Sequence, residues 1–192
     1  LYDCSCGIGT QAIGLAKRGY TVHATDLSPV AVERAKREAQ KLNVSMTTGV
    51  ADFRHLGEQV KDTFDVVISC DNSLPHLLTD ADLQQATHNL HTVTKPDGLL
   101  LISIRDYDHL LHQKPRTTPV TVYDDPDRRI SFQVWDWQDD LYTINHYIIT
   151  HQDGAPHTVI RQTQYRALKR ETVTSALENA GFRDIRWHMP EA

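Results

Sequence analysis

Residues 3–10 read Asp3-Cys4-Ser5-Cys6-Gly7-Ile8-Gly9-Thr10, and the order of residue types in this stretch decides the fold. Leu1 to Cys6 has the character of a short strand. Gly7 and Gly9 then supply a turn in which backbone N–H groups can approach a ligand without a Cβ in the way. Thr10 to Arg18 follows, with Ile13, Leu15 and Ala16 suited to a helix that Gly19 ends. Strand, glycine turn and helix make the first unit of a β/α fold.

The units after it repeat the pattern. Thr21 to Thr25 is a second short strand, and Ser28-Pro29 opens a second helix as N-cap and first helical residue, running to about Leu42 before Asn43. Val44 to Gly49 predicts a third strand, Phe64 to Cys70 a fourth with the near-continuous apolar run of a buried parallel strand, and Gly98 to Ile104 a fifth. A helix over Thr79 to Val93, opened by a Thr79–Asp82 capping pair, lies between the last two. Parallel neighbours need helical crossovers, so the expected fold class is α/β, a doubly wound, mostly parallel sheet. Ligands of such sheets bind beyond the carboxyl ends of the strands.

Past residue 105 the pattern changes. Ile130 to Trp137, Leu141 to His151 and His157 to Arg166 read as an antiparallel meander inserted after the fifth strand, with turns at Gln138-Asp139-Asp140 and Asp153-Gly154. The insertion is expected over about residues 119–166, where it would roof the strand ends. A helix over Arg170 to Ala180 and a sixth strand around Arg183 to His188 complete the reading.

The 192 residues carry 20 Lys+Arg against 25 Asp+Glu, a net charge of −5, with Lys and Arg scattered among carboxylates. That balance argues against a nucleic-acid partner, and no apolar run approaches the ~18 residues of a membrane span. Three cysteines, all at strand ends, suit a reducing compartment, so the cytoplasm is expected. Zinc is not expected, because there is no CxxC pair. The length fits a single domain over residues 1–192. The chain begins at Leu1 and runs at once into a strand, so a natural N-terminus is expected to be missing.

A cofactor cradle is expected from residues that follow consecutive strands. Asp26 stands at the end of the second strand, 19 residues beyond Gly7, where a carboxylate accepts hydrogen bonds from both hydroxyls of a ribose. Asp52-Phe53 follows the third strand, where a carboxylate and a ring bracket an adenine. The plainer alternative has Asp26 capping the Ser28 helix and Phe53 in the core. Gly7 to Ala12 also satisfies the dinucleotide fingerprint GxGxxA, and Tyr165 with Lys169 makes a YxxxK pair, as in short-chain dehydrogenases. Against that reading, Asp3 would set a negative charge beside a pyrophosphate, whereas a sulfonium cation tolerates it.

Taken together, these residues resemble class I S-adenosylmethionine-dependent methyltransferases, with a Rossmann-like fold. Asp3 in the first strand, the Cys6-to-Thr10 turn, Thr25-Asp26-Leu27-Ser28 and Ala51-Asp52-Phe53 follow that family's order over roughly the first hundred residues. Ser5 stands where the family most often has its first glycine. The resemblance implies S-adenosyl-L-methionine as cofactor, with Asp3 near its methionine part, Asp26 on the ribose and Asp52 on the adenine amino group. It places Cys6, Gly7, Gly9, Thr10, Leu27, Phe53, Cys70 and Asp71 along the same cradle.

After the fourth strand comes Cys70-Asp71-Asn72-Ser73-Leu74-Pro75-His76-Leu77, and after the fifth Arg105-Asp106-Tyr107-Asp108. The first lacks the NPPY-like tetrapeptide of enzymes that methylate bases and glutamine. The two together resemble the glycine and sarcosine N-methyltransferases, which implies that Asn72 orients an acceptor amine and Arg105 holds its carboxylate. His76 is a candidate proton relay, or a bystander among 11 histidines. Arg105 has a plainer alternative as well, pairing with Asp106, Asp108 or Asp71. Trp135, Trp137, Tyr142, Tyr147 and Tyr165 either roof the site or pack across strands. The expected function is methylation of a small polar molecule, in the first place the amine of glycine or sarcosine. An O-methyltransferase on a small acid, an NAD(P)-dependent oxidoreductase and a non-catalytic cofactor-binding domain stay open, as does a homo-oligomer. Family members of this kind carry an N-terminal segment and a further antiparallel strand beside the fifth, so the chain is expected to be truncated at both ends.

Overall fold

A computed structural model describes residues 1–124, 128–152 and 155–189. It divides into two compact units, Leu1–Leu74 with Thr79–Ile104 and the chain from Glu171 onward, and Pro75–Leu78 with Arg105–Arg170.

The first unit is a five-stranded parallel sheet. Its strands are β1 (Tyr2–Asp3), β2 (His23–Asp26), β3 (Thr47–Val50), β4 (Phe64–Ser69) and β5 (Thr94–Ile102), in the order β3-β2-β1-β4-β5. That order reverses beside β1, so the carboxyl ends of β1 and β4 flank the topological switch point where such sheets take ligands. Tyr2 and Val67 are fully buried at 0% exposure, the mark of strands covered on both faces.

The helices start where the sequence provides caps. In α1 (Thr10–Lys17) the N-cap is Gly9, with no side chain to offer. In α2 (Pro29–Lys41) Ser28 accepts from the Ala31 N–H, with Pro29 in the first turn. A short α3 (Leu56–Gln59), not foreseen, lies in the β3–β4 connection. In α4 (Asp80–Val93) Thr79 accepts from the Asp82 N–H and donates its hydroxyl to the Asp82 carboxylate at 2.7 Å. The predicted sixth strand around Arg183 to His188 does not form. Asp184 takes a left-handed φ of 55°, which breaks an extended run, and Trp187 Nε1 donates instead to Thr174 Oγ1 at 3.0 Å. The helix before it, α6 (Arg170–Ala180), ends as predicted.

The second unit holds the antiparallel sheet. After α5 (Tyr107–Gln113), also unforeseen, come β6 (Thr121–Tyr123), β7 (Arg129–Gln138), β8 (Leu141–Gln152) and β9 (Ala155–Arg166), paired in that order. α5 is short and opened by Asp106, whose carboxylate accepts from the His109 N–H. β6 was missed because three exposed residues show no alternation. The turn expected at Asp153-Gly154 lies outside the described residues. No helix among the described residues is long and apolar enough to cross a membrane.

Candidate functional site

The turn between β1 and α1 is built on two glycines with positive φ, Gly7 at 52° and Gly9 at 92°. They differ in what surrounds them. A Cβ on Gly9 would meet Ile13 Cδ1 at 3.0 Å and the Ala35 methyl at 3.1 Å, whereas a Cβ on Gly7 would enter open space. Gly9 is therefore small for packing, and Gly7 keeps a cradle open. With Gly9 as N-cap, the first-turn amides of α1, beginning at Thr10, receive no side-chain cap.

Asp26 closes the other side of that cradle. Its Oδ2 accepts from the Gly7 N–H at 2.8 Å and its Oδ1 from the Ser28 N–H at 2.9 Å. One oxygen is thus tied to the glycine turn and the other to the start of α2. Leu27, the next residue, is 65% exposed. An exposed apolar side chain beside a fixed carboxylate suits a ligand with a polyhydroxyl part and a flat apolar part.

Beneath the turn, Asp3 is 1% exposed. Its Oδ1 takes the Ser5 N–H at 3.3 Å, and its Oδ2 has no partner among the described residues. Burial, with Asp26 and Asp71 nearby, pushes its carboxyl up to about 7. A buried carboxyl with an orphaned oxygen beside an open cradle fits a cationic ligand group. Ser5, the departure from the common glycine, shares a hydrogen bond with the hydroxyl of Ser69 at 3.2 Å, so its side chain is tied to β4. The Cys6 side chain packs with Ala12, Val22 and Ala24, which leaves only its backbone for the cradle. All three cysteines are free thiols, and no group of His, Cys, Asp and Glu among the described residues could hold a metal ion.

After β3, Asp52 does not stand alone. The Arg54 guanidinium grips it, with Nη2 at 2.6 Å from Oδ2 and Nε at 3.1 Å from both oxygens, and holds its carboxyl below the usual range. The next residue, Phe53, is half-buried.

After β4, Asp71 and Asn72 both adopt left-handed backbone, with φ of 58° and 64°. The pair is held by Ser103, the residue after β5: Asp71 N–H donates to Ser103 Oγ and Asn72 N–H to Ser103 O, both at 3.0 Å. Strained residues so supported are typical of sites that orient a ligand. Gln11 donates to the Asp71 carboxylate at 2.9 Å, and Cys70 beside it has its thiol pushed up by burial.

In the second unit, Arg105 is surrounded by rings. Its guanidinium carbon lies 4.9 Å from the Trp135 ring centre and 5.6 Å from that of Tyr165, and its Nη1 donates to Tyr142 Oη at 3.0 Å. Tyr107 Oη and Tyr142 Oη share a hydrogen bond at 2.7 Å. Trp137 stacks on Tyr142 with centres 4.5 Å apart, and His76 lies 4.4 Å from Tyr165. Tyr147 instead pairs with Phe132 at 5.0 Å, as plain cross-strand packing. Of the nearby carboxylates, Asp106 caps α5, Asp108 pairs with Arg170 at 2.9 Å, and Asp71 accepts from Gln11. Tyr165, the first residue of the YxxxK pair, belongs to this cluster on β9. Sequence reasoning assigned no role to Arg54, Asn89 or Tyr107, because their partners are distant in the chain or are backbone atoms.

Residues 1–98 match the family model described as Methyltransferase domain, about half of the chain. The chain belongs to that family. A glycine/sarcosine N-methyltransferase of Parasynechococcus marenigrum is 35% identical over 109 residues, 57% of this chain and 39% of that protein. The methyltransferase chain thus spans about two fifths of that relative's length, and 42% of the glycine/sarcosine N-methyltransferase of Aphanothece halophytica. Its fold is that of an S-adenosylmethionine-dependent methyltransferase from Clostridium acetobutylicum, with a TM-score of 0.80 at 20% identity over 93% of this chain and 71% of that one. The cofactor of this methyltransferase family is S-adenosyl-L-methionine, and the open Gly7, the doubly bonded Asp26 and the orphaned Asp3 oxygen fit it.

Proposed function

We propose that this chain is the cofactor-binding part of an N-methyltransferase that methylates a small amine bearing a carboxylate, such as glycine or sarcosine. The observation that carries the acceptor class is Arg105. Two ring faces and one tyrosine hydroxyl fix a planar cation there. A guanidinium so held presents a fork to a carboxylate that a lysine cannot match. The relatives named above support the same class.

S-adenosyl-L-methionine, when bound, supplies a methyl group on a sulfonium for in-line displacement by a neutral amine. The chain's own work is alignment, which accounts for much of the rate in such reactions. On this reading Asp3 faces the cationic methionine end, Asp26 the ribose and Asp52 the exocyclic amine of the base. Gly7, Gly9 and Thr10 give backbone room, and Leu27 and Phe53 cover the base. Cys70 and Asp71 complete the cradle wall. Asn72, on its supported left-handed turn, accepts from the acceptor amine, and Arg105 binds the carboxylate. His76 takes the proton that the ammonium must lose before transfer. Tyr165, whose hydroxyl burial pushes up, stays neutral beside Arg105.

The test is methyl transfer from labelled S-adenosyl-L-methionine to glycine, sarcosine, glycinamide and glycolate. Product from the first two but not from glycinamide supports an amine acceptor held by its carboxylate. Product from glycolate alone makes the chain an O-methyltransferase on small acids, and transfer to glycinamide as readily as to glycine removes the clamp.

A further inference from the structure

Ser103, the first residue past β5, makes three hydrogen bonds to the end of β4 and the turn that follows it. Its N–H donates to Ser69 O at 3.0 Å, which carries the β4–β5 ladder one residue beyond Ile102. Its C=O accepts from the Asn72 N–H and its Oγ from the Asp71 N–H, each at 3.0 Å. The first two bonds need only a backbone. The third needs a short side chain with an acceptor oxygen.

These bonds hold two consecutive left-handed residues, Asp71 at φ 58° and Asn72 at φ 64°. A Cβ disfavours that backbone, least in Asp and Asn, and residues that adopt it normally occur singly. The amides of both end on Ser103, while the Ser73 hydroxyl closes the turn from its other side by donating to Cys70 O at 2.8 Å. Asp71 and Ser103 are exposed, and a hydrogen bond that water can replace contributes little to global stability. The effect of Ser103 is therefore local, on the backbone from which the Asn72 side chain projects. We propose that Ser103 is a positioning residue for methyl transfer: by keeping the Asp71-Asn72 turn left-handed, it fixes the point from which the Asn72 carboxamide accepts from the amine of the methyl acceptor. This rests on the role proposed above for Asn72. Ser103 itself touches neither cofactor nor acceptor. Because alignment dominates an in-line displacement, a small shift of Asn72 lowers turnover more than it weakens binding.

The experiment is steady-state methyl transfer to sarcosine by the 192-residue chain. Wild type, Ser103→Ala, Ser103→Thr, Asn72→Ala and the Ser103→Ala/Asn72→Ala double variant are compared, with S-adenosylhomocysteine affinity and melting temperature recorded for each. Ser103→Ala is expected to lower kcat about three- to tenfold, with the KM for sarcosine, cofactor affinity and melting temperature close to wild type. Ser103→Thr keeps the acceptor oxygen and returns kcat to within about twofold of wild type. In the double variant the two losses do not add, because Ser103 acts through Asn72. Additive losses, or a loss in Ser103→Thr as large as in Ser103→Ala, overturn the role of Ser103 and leave Asn72 in place. A Ser103→Ala variant that melts earlier but turns over like wild type reduces Ser103 to a structural support. Wild-type turnover in Asn72→Ala, or no transfer to sarcosine by wild type, overturns the reading of Asn72 and the role of Ser103 with it.

Discussion

The Gly7 N–H donates to Asp26 Oδ2 at 2.8 Å across 19 residues of chain. Two segments that carry the nucleotide-type motif thus lock to each other before any ligand arrives. With the Ser28 N–H on its other oxygen, Asp26 fixes both the glycine turn and the start of α2. Preorganisation of this kind lowers the ordering cost of binding. Asp26→Ala is expected to weaken S-adenosylhomocysteine binding at least tenfold and to cost about 1–2 kcal/mol of stability. Titration calorimetry and chemical denaturation measure the two separately. A variant that melts earlier but binds as tightly as wild type would confine Asp26 to helix capping.

The two glycines of the turn should fail differently. In Gly9→Ala the new methyl meets Ile13 and Ala35 at about 3.0–3.1 Å on a left-handed backbone, so stability drops by about 1–3 kcal/mol. In Gly7→Ala the methyl enters open space. Only the backbone strain of about 1 kcal/mol remains there, and the larger loss is in cofactor affinity. Comparing melting temperature with ligand affinity in the pair checks this, and equal binding losses would contradict it.

Asp3 makes cofactor binding depend on pH. Its folded carboxyl is raised from 3.8 to about 7, so the native state holds a proton that the unfolded chain releases. Native stability from this group therefore falls as pH rises from about 4 to about 7 and is level above. Binding runs the opposite way, because only the ionised form pairs with a cationic group of the ligand, the α-ammonium in S-adenosylhomocysteine and the sulfonium as well in S-adenosyl-L-methionine. S-adenosylhomocysteine affinity is expected to rise as pH increases through 7, with proton release on binding below it. In Asp3→Asn that rise flattens, and the variant becomes more stable than wild type at pH 8. A pH-dependent affinity that persists in Asp3→Asn would assign the titration to another group.

Tyr142 holds Arg105 without being an arginine's usual counter-ion. Tyr142→Phe keeps the ring stacks and deletes one hydroxyl that bonds both Arg105 and Tyr107. On the carboxylate-clamp reading, it raises KM for the acceptor several-fold, leaves cofactor affinity unchanged and lowers kcat less than KM rises. Arg105→Ala gives the larger effect in the same direction. Steady-state kinetics with glycine and sarcosine separate these parameters, and an unchanged KM in the Arg105 variant would refute the clamp.

The helix caps at Ser28 and Thr79, the glycine turn and the apolar run of β4 were legible because each depends on residues close together in the chain. So was the alternation that makes the sheet parallel. α5 was not legible, since one capping aspartate and seven residues give too little periodicity. The failed strand after α6 shows the reverse case, a β-like composition overruled by one left-handed residue and a tryptophan anchored on the helix.

By itself the sequence determined the β/α order, the parallel sheet and which carboxylates stand at strand ends, because local propensity and chain order are enough to place them. Only the tertiary structure decided what those carboxylates meet. It buried Asp3 with one oxygen unpartnered among the described residues, divided Asp26 between two backbone amides and gave Asp52 to Arg54. It also put Arg105 among rings from β7, β8 and β9. Burial and hydrogen-bond partnership depend on which distant segments the packed chain brings within about 3 Å, and no spacing along the sequence encodes that distance.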